Sequence, residues 1–312
     1  MQSRISQTQQ SDPVLTNLAR GYGNAQMVGQ ALFPFAPVKK EINKIPKFSK
    51  ESFKAINTIR AIRAKSNVLD PESVGNAEVT LEEHDISFPL DRRELDNAEA
   101  VLDLEKYATF SASAIIALAL ERACASLATA PGNYATSNKI TLSGNSRFTD
   151  YANSDPIAVI KTGREAVRQQ IGRRPNVALF GAATMSALSE HPKILERIKY
   201  TQLGVVTPEL LAGILGISKV VIGEAVYMDG RGAVKDVWGD NVVLAYVPAL
   251  PADVKPNVYE PAFGYTLRKE GYPIAAPWQT EDGKQHNVDV TDIVAPCILG
   301  ADAGYLIADT NV

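Results

Sequence analysis

In EVTLEEHDISFPLDRRELDNAEA (78–100), the alternation of a strand gives way to the start of the strongest helix in the chain. Val79 and Leu81 share one face of the strand, whereas Ile86, Phe88 and Leu90 have the opposite parity. Side chains alternate strictly along a strand, so the parity change between Glu82 and Asp85 predicts a bulge or a change of pairing partner there. The helix that follows is expected to run over residues 93–129. It has no Gly or Pro, is rich in Ala and Leu, and carries Glu94, Asp96 and Glu99 near its start, where the helix dipole favours acid. Leu95, Ala98, Leu102, Ala108, Ile115, Ala119, Ala123 and Leu127 supply a stripe at helical steps. Pro131-Gly132 ends it. Such a rod would be about 50 Å long, more than an ordinary compact domain needs, with a kink expected near Ser111–Ser113.

Upstream, residues 39–65 carry nine basic residues against Glu41 and Glu51, a net +7, among them Lys50, Lys54, Arg60 and Arg63. Residues 66–105 then carry twelve acidic residues against Arg92 and Arg93, a net −10, with Glu78, Glu82 and Glu83 in the strand run. The turn-rich SNVLDPESVGNAE lies between them. Two solvated faces are the plain reading of such blocks. Their adjacency and opposite sign fit an extended hairpin with a basic and an acidic limb, suited to contact with a neighbouring copy. The first 45 residues are Gln/Ser-rich and broken by Gly21, Gly23, Gly29, Pro34 and Pro37, with no clear period. A segment of this kind gains order by lying across something else, as an arm.

Downstream the pattern is α/β. Asp155-Pro156 opens a helix with Ile157, Ile160, Val167 and Ile171 on one face, closed by Gly172. NVALF (176–180) and KVVIG (219–223) read as short buried strands, and DVWGDNVVLAYVP (236–248) as a third strand run. AATMSAL and PKILERI are helical pieces split at His191-Pro192, and Thr207-Pro208 opens a helix ending at Gly216. The tail from FGYTLRKEGYP onward reads as short strands and turns.

Composition bounds the function. The chain has 312 residues, 45% hydrophobic and 21% charged, with 32 Lys plus Arg against 35 Asp plus Glu. That balance lacks the basic excess of a dedicated nucleic-acid binder. No stretch is expected to reach the ~20 apolar residues of a bilayer span, and the polar N-terminus is unlike a secretory signal. Cys124 and Cys297 are far apart and read as small buried hydrophobes, not as a disulfide framework. His84, His191 and His286 have no partner at metal or catalytic spacing. GYGNAQMVG (21–29) follows no strand and lacks phosphate-loop spacing, and there is no GxSxG elbow. Carboxylate pairs such as Glu82-Glu83 sit on a charged limb, where solvation is the default. No catalytic, metal or cofactor site is expected.

The order of parts resembles the major capsid proteins of tailed phages, whose Hong Kong 97-type fold is shared with encapsulin shells. The resemblance is carried by EVTLEEHDISFPLDRRELDNAEA (78–100), RRPNVALFGAATMSALSEHPKILERI (173–198), TPELLAGILGISKVVIGEAVY (207–227) and DVWGDNVVLAYVP (236–248), by their order and spacing more than by any one of them. It implies an α+β fold with residues 1–44 as an N-terminal arm and 45–92 as an extended loop. Residues 93–150, with a spine helix, would form a peripheral domain, 151–261 an axial domain, and 262–312 strands returning to the peripheral domain. It also implies a non-enzymatic subunit, made in the host cytoplasm, that assembles in pentamers and hexamers into an icosahedral virion shell around double-stranded DNA. Scaffold, portal and decoration proteins would be its partners, with no membrane. Lys50, Lys54, Arg60, Arg63, Glu78, Glu82 and Glu83 are the candidate inter-subunit contacts. Some family members begin with a long scaffolding segment that is removed on maturation. Here the arm begins close to Met1, so that segment is either removed or supplied as a separate protein. Some shells crosslink a loop lysine to a neighbour's asparagine, but nothing here selects one of Lys47, Lys50, Lys54 or Lys65 for that. An encapsulin-like compartment with protein cargo is the alternative within the fold. A cytosolic α/β enzyme with a site among the loops of 173–250 is the alternative outside it.

Overall fold

The structure, a computed structural model, describes residues 12–20, 27–46, 59, 65, 76–97, 103–199, 206–248 and 262–311. In chain order its elements are α1 (Pro13–Arg20), β1 (Phe35–Val38), β2 (Ile42–Pro46), β3 (Asn76–Thr80), β4 (Glu82–Asp91), α2 (Arg92–Asn97), α3 (Leu104–Thr129) and β5 (Lys139–Thr141). There follow α4 (Pro156–Ile171), β6 (Val177–Gly181), α5 (Ala182–Glu190), α6 (Pro192–Ile198), α7 (Pro208–Leu215), β7 (Lys219–Gly223), β8 (Val226–Met228), β9 (Val234–Asp236) and β10 (Val242–Ala245). The last are β11 (Gly264–Lys269), β12 (Ile274–Gln279), β13 (Gln285–Ile298) and β14 (Gly304–Ala308).

Two five-stranded sheets organise the described residues. In the first, β13 is the hub. Its Gln285–Val294 stretch pairs antiparallel with β4 along one edge. The opposite edge is shared by β12, opposite 286–291, and β11, opposite 294–298, and β1 lies parallel on β11. The parity change read from the sequence is a change of partner. β3 pairs with β2, the chain turns at buried Leu81, whose N–H donates to the Glu41 carbonyl, and β4 then pairs with β13. Val79 and Leu81 thus pack in one cluster with Ile45, Tyr265 and Ile293, while Ile86, Phe88 and Leu90 pack with α1 and α3 on the other face.

The second sheet runs β5-β14-β10-β6-β7. Its inner strands are buried on both faces, which is why VALF (177–180) is apolar throughout. Ala178, Phe180, Val242, Leu244, Tyr305 and Ile307 point to a core closed by α4–α7. Leu179, Val243, Ala245 and Leu306 point the other way, to a core shared with Leu120, Cys124, Ala125 and Ala128 of α3. α3 therefore lies on the first sheet with one half and under the second sheet with the other.

Several expectations are corrected. The helix is not one rod over 93–129. Asp103 is extended (φ −81°, ψ 90°) and its carboxylate accepts from Lys106 N–H, so α3 starts afresh at Leu104 and is about 39 Å long at 1.5 Å per residue. It passes through Ser111–Ser113 without a break. The buried stripe is Ala108, Ala112, Ile116, Leu120, Cys124 and Ala128, rotated from the expected one, and Ile115 faces solvent. α3 is also long and apolar enough to cross a membrane by length and composition. Here it is a core helix, with one face packed on both sheets. The tail is not all short strands, because β13 spans 14 residues, and the arm contains α1 and β1.

The joint between α5 and α6 is built by His191, which is fully buried. Its Nδ1 accepts the Lys193 N–H, so the neutral ring carries its proton on Nε2, 2.9 Å from Ser154 Oγ. Burial pushes its pKa below the usual value, with Lys193 adding to the effect and Asp155 opposing it. The unfolded chain therefore takes up this proton first. The stabilisation is complete above about pH 6.5 and is lost as pH falls through the folded value. The melting temperature of the chain should drop on acidification below about pH 6.5, and His191→Asn, which keeps a cap acceptor, should flatten that part of the profile. An unchanged slope in the variant would remove His191 as its cause.

Candidate inter-subunit surfaces

One carboxylate fastens the arm to α3. Glu121, in the middle of α3, is buried. Its Oε1 accepts from Val28 N–H (2.9 Å), Gly29 N–H (3.0 Å) and the Trp238 indole N–H (2.7 Å), and its Oε2 lies 2.8 Å from Gly29 N. A Cβ on Gly29 would come within 2.8 Å of Glu121 Oε2 and 2.9 Å of Cys124 Cβ, so only glycine allows this approach. Burial raises the Glu121 pKa, and the donors from Trp238, Gly29 and Val28 pull it back. One side chain thus ties together the arm, α3 and the Trp238 loop that follows β9. A second tie joins the arm to the first sheet. Arg268 lies 3.7 Å from the Phe35 ring centroid and 2.8 Å from the buried Asp292 carboxylate. Burial raises Asp292 and lowers Arg268, and each partner opposes the other's shift.

The hairpin expected from the opposed charge blocks has its root in β2 and β3, with Pro46 opposite Asn76 as the last described pair. Lys50, Lys54, Arg60 and Arg63 lie outside the described residues. Glu78, Glu82 and Glu83 are exposed. Glu78 is opposite Lys44 in the register and pairs with it at 3.3 Å within the same chain. Glu78 and Glu82 line a groove of about 1140 Å³ whose other walls include Ala123 and Leu127 of α3, Arg173, and the end of β13 from Val294 onward. Glu83 does not line it.

The histidines do not converge. His84 is opposite Asp292 across β4 and β13, His191 is the joint described above, and His286 Nε2 lies 2.8 Å from Glu105 Oε1. Among the described residues no group of three or more His, Cys, Asp or Glu is placed to hold a metal ion. Both cysteines are buried, which pushes their thiols up, to about 12 for Cys124 and about 11 for Cys297. Sequence reasoning missed Glu121, Gly29 and Trp238. The available signal was a lone carboxylate in the apolar run IIALALERACASLA.

This geometry has close counterparts. The SrpI encapsulin of Synechococcus elongatus matches over 97% of this chain and 96% of its own, with a TM-score of 0.56 at 11% identity, a likeness of fold alone. A phage-related protein of Bordetella bronchiseptica RB50 matches over 97% and 99% with a TM-score of 0.82 at 33% identity. The architecture is the Hong Kong 97-type fold of phage capsid proteins and encapsulins. The family described as "Phage major capsid protein E" matches residues 133–292, and the major capsid protein of Burkholderia phage BcepMu is 47% identical over 308 residues, 99% of each chain. The chain belongs to the phage major capsid proteins, a structural family and not an enzyme class, whose members are virion components assembled from many copies.

Glu121→Ala should leave two backbone N–H groups and an indole N–H unpaired, costing about 3 kcal/mol or more. It should also speed trypsin cleavage after Arg20, whereas Glu121→Gln, which keeps one acceptor oxygen, should cost less. Equal stability and equal cleavage in all three chains would remove Glu121 as the fastener of the arm.

Proposed function

We propose that copies of this chain close into an icosahedral shell of pentamers and hexamers around double-stranded DNA, held without base-specific contacts. The observation that carries the reading is the hairpin root. β2 and β3 form a two-stranded ribbon packed on the first sheet, the strongly basic stretch follows β2 in sequence, and the acidic β4 is fixed on β13. In this reading residues 1–44 act as an arm and 45–92 as a loop reaching a neighbour. Residues 93–150 with 262–312 form a peripheral unit, and 151–261 an axial unit that meets its counterparts at ring centres. Lys50, Lys54, Arg60 and Arg63 of one copy face Glu78, Glu82 and Glu83 of the next, setting register more than affinity. The chain catalyses nothing, is made in the host cytoplasm, and is assisted by scaffold, portal and decoration proteins.

Light scattering and negative-stain microscopy test this on the chain expressed alone and with a scaffold protein. Closed particles are expected, with nuclease-protected DNA inside the native ones; a cargo enzyme in place of DNA would assign a compartment. Reversing Lys50, Lys54, Arg60 and Arg63 together to Glu should abolish particles and leave the circular dichroism of the subunit unchanged. Unimpaired assembly of that variant would sink the charge contact.

A further inference from the structure

Two apolar faces are left uncovered among the described residues. One belongs to the two-stranded ribbon β8–β9. Its register sets Met228 opposite Val234 and Val226 opposite Asp236, so these four side chains share a face. On it Val226, Met228 and Val234 are 49%, 68% and 63% exposed. The other face carries Tyr227, whose ring centroid lies 4.4 Å from the Arg122 guanidinium of α3. That contact seats the ribbon beside the helix and turns the apolar side away from it. The second uncovered face is the outer stripe of α3. Tyr107 and Ile115 are 60% and 52% exposed there. Ser111, Ala114 and Leu118, half-buried, continue the stripe at helical steps toward Arg122.

We propose that the ribbon of one copy docks its Val226, Met228 and Val234 face on the Tyr107, Ile115 and Leu118 stripe of a second copy. This rests on the shell reading above and adds a contact to it. Each face offers apolar area on the order of 300 Å², as large as the largest patch on many monomers, and an interaction surface is the usual meaning of such a patch. The faces match in size and chemistry, so one partner species covers both. Together they would bury roughly 600 Å², about half of what a stable isolated pair buries. That is too little to hold two free subunits together, but enough for one of several contacts acting at once. The contact is also heterologous: each copy gives a ribbon to one neighbour and receives another's on its helix. Repeated, that geometry closes rings, whereas a self-complementary patch stops at two.

The test is a charge swap across the contact. Ile115→Lys alone and Met228→Glu alone should each lower particle yield at fixed subunit concentration by at least about tenfold, because each buries a charge against an apolar face. Melting temperatures should stay at that of the native chain, since both side chains are exposed in the subunit. Ile115→Lys with Met228→Glu in one chain should recover yield to within about threefold of native. Native assembly by either single variant overturns the proposal. Two defective singles with no rescue overturn the pairing and assign each face a different occupant, such as a separate scaffold protein. If the native chain forms no particles even with scaffold, the shell reading itself fails, and this inference falls with it.

Discussion

Glu121 sets the constraint on which the rest of the arrangement depends. A carboxylate taken out of water is costly unless its oxygens are met by donors, and few places in a protein can aim three N–H groups at one side chain. Here the donors come from two separate parts of the chain, the turn at Val28 and Gly29 and the Trp238 indole, and α3 carries the acceptor. Moving any one part leaves buried polar groups unpaired. The interaction thus acts as a register lock, since the carboxylate and its three donors offset one another's desolvation only in this one arrangement. Gly29 follows from the same constraint, because the backbone must come close enough for its N–H to reach both oxygens.

The lock works because α3 is apolar nearly all round. A surface helix needs one apolar face, and a helix shared by two sheets needs more. Ala108, Ala112 and Ile116 serve the first sheet, while Leu120, Cys124, Ala125 and Ala128 serve the second. The buried arc shifts around the helix along its length, as the cover changes from α1 and β13 to the arm and β10. Composition of this kind also passes for a membrane span. Glu121 in the interior and Arg122 against Tyr227 are at odds with that use, and both are explained by packing within the protein.

The parts legible in the sequence were those where one local rule has one outcome. Asp155-Pro156 and Gly172 bound α4, with Asp155 accepting from Ala158 N–H and Gly172 at φ 68°. His191-Pro192 and Thr207-Pro208 likewise start α6 and α7. The parity change at Leu81 was visible because a strand can serve a new partner on its other face only by shifting register. Of the candidate contact residues, Glu78, Glu82 and Glu83 could be placed on an exposed strand limb from charge alone. The pairing of Glu78 with Lys44 needed the hairpin register. The phase of α3 was not legible, since an apolar residue on every side leaves no moment to fix it, and Ile115 reads as core as readily as Ile116. β13 was hidden for the opposite reason. Asp289 and Asp292 interrupt its apolar alternation, and Asp292 is tolerated inside because Arg268, distant in sequence, neutralises it. Gly29 and Trp238 became partners of Glu121 only through long-range packing, which no window along the chain contains.

The division between buried and exposed charge follows function. Charges that must fix one geometry, Glu121 and the Arg268–Asp292 pair, are inside, where low dielectric makes misplacement expensive. The described charges at the hairpin root, Lys44 and Glu78 among them, stay in water, where an ion pair is worth little and salt screens it. A subunit that joins many copies benefits from this separation. Strong single contacts would trap misplaced neighbours, while weak ones let a wrongly docked copy leave until several contacts form together. Rigidity is therefore spent within the subunit, holding the arm and hairpin root at fixed angles. The surfaces between copies can remain individually weak because those angles make several of them available at once.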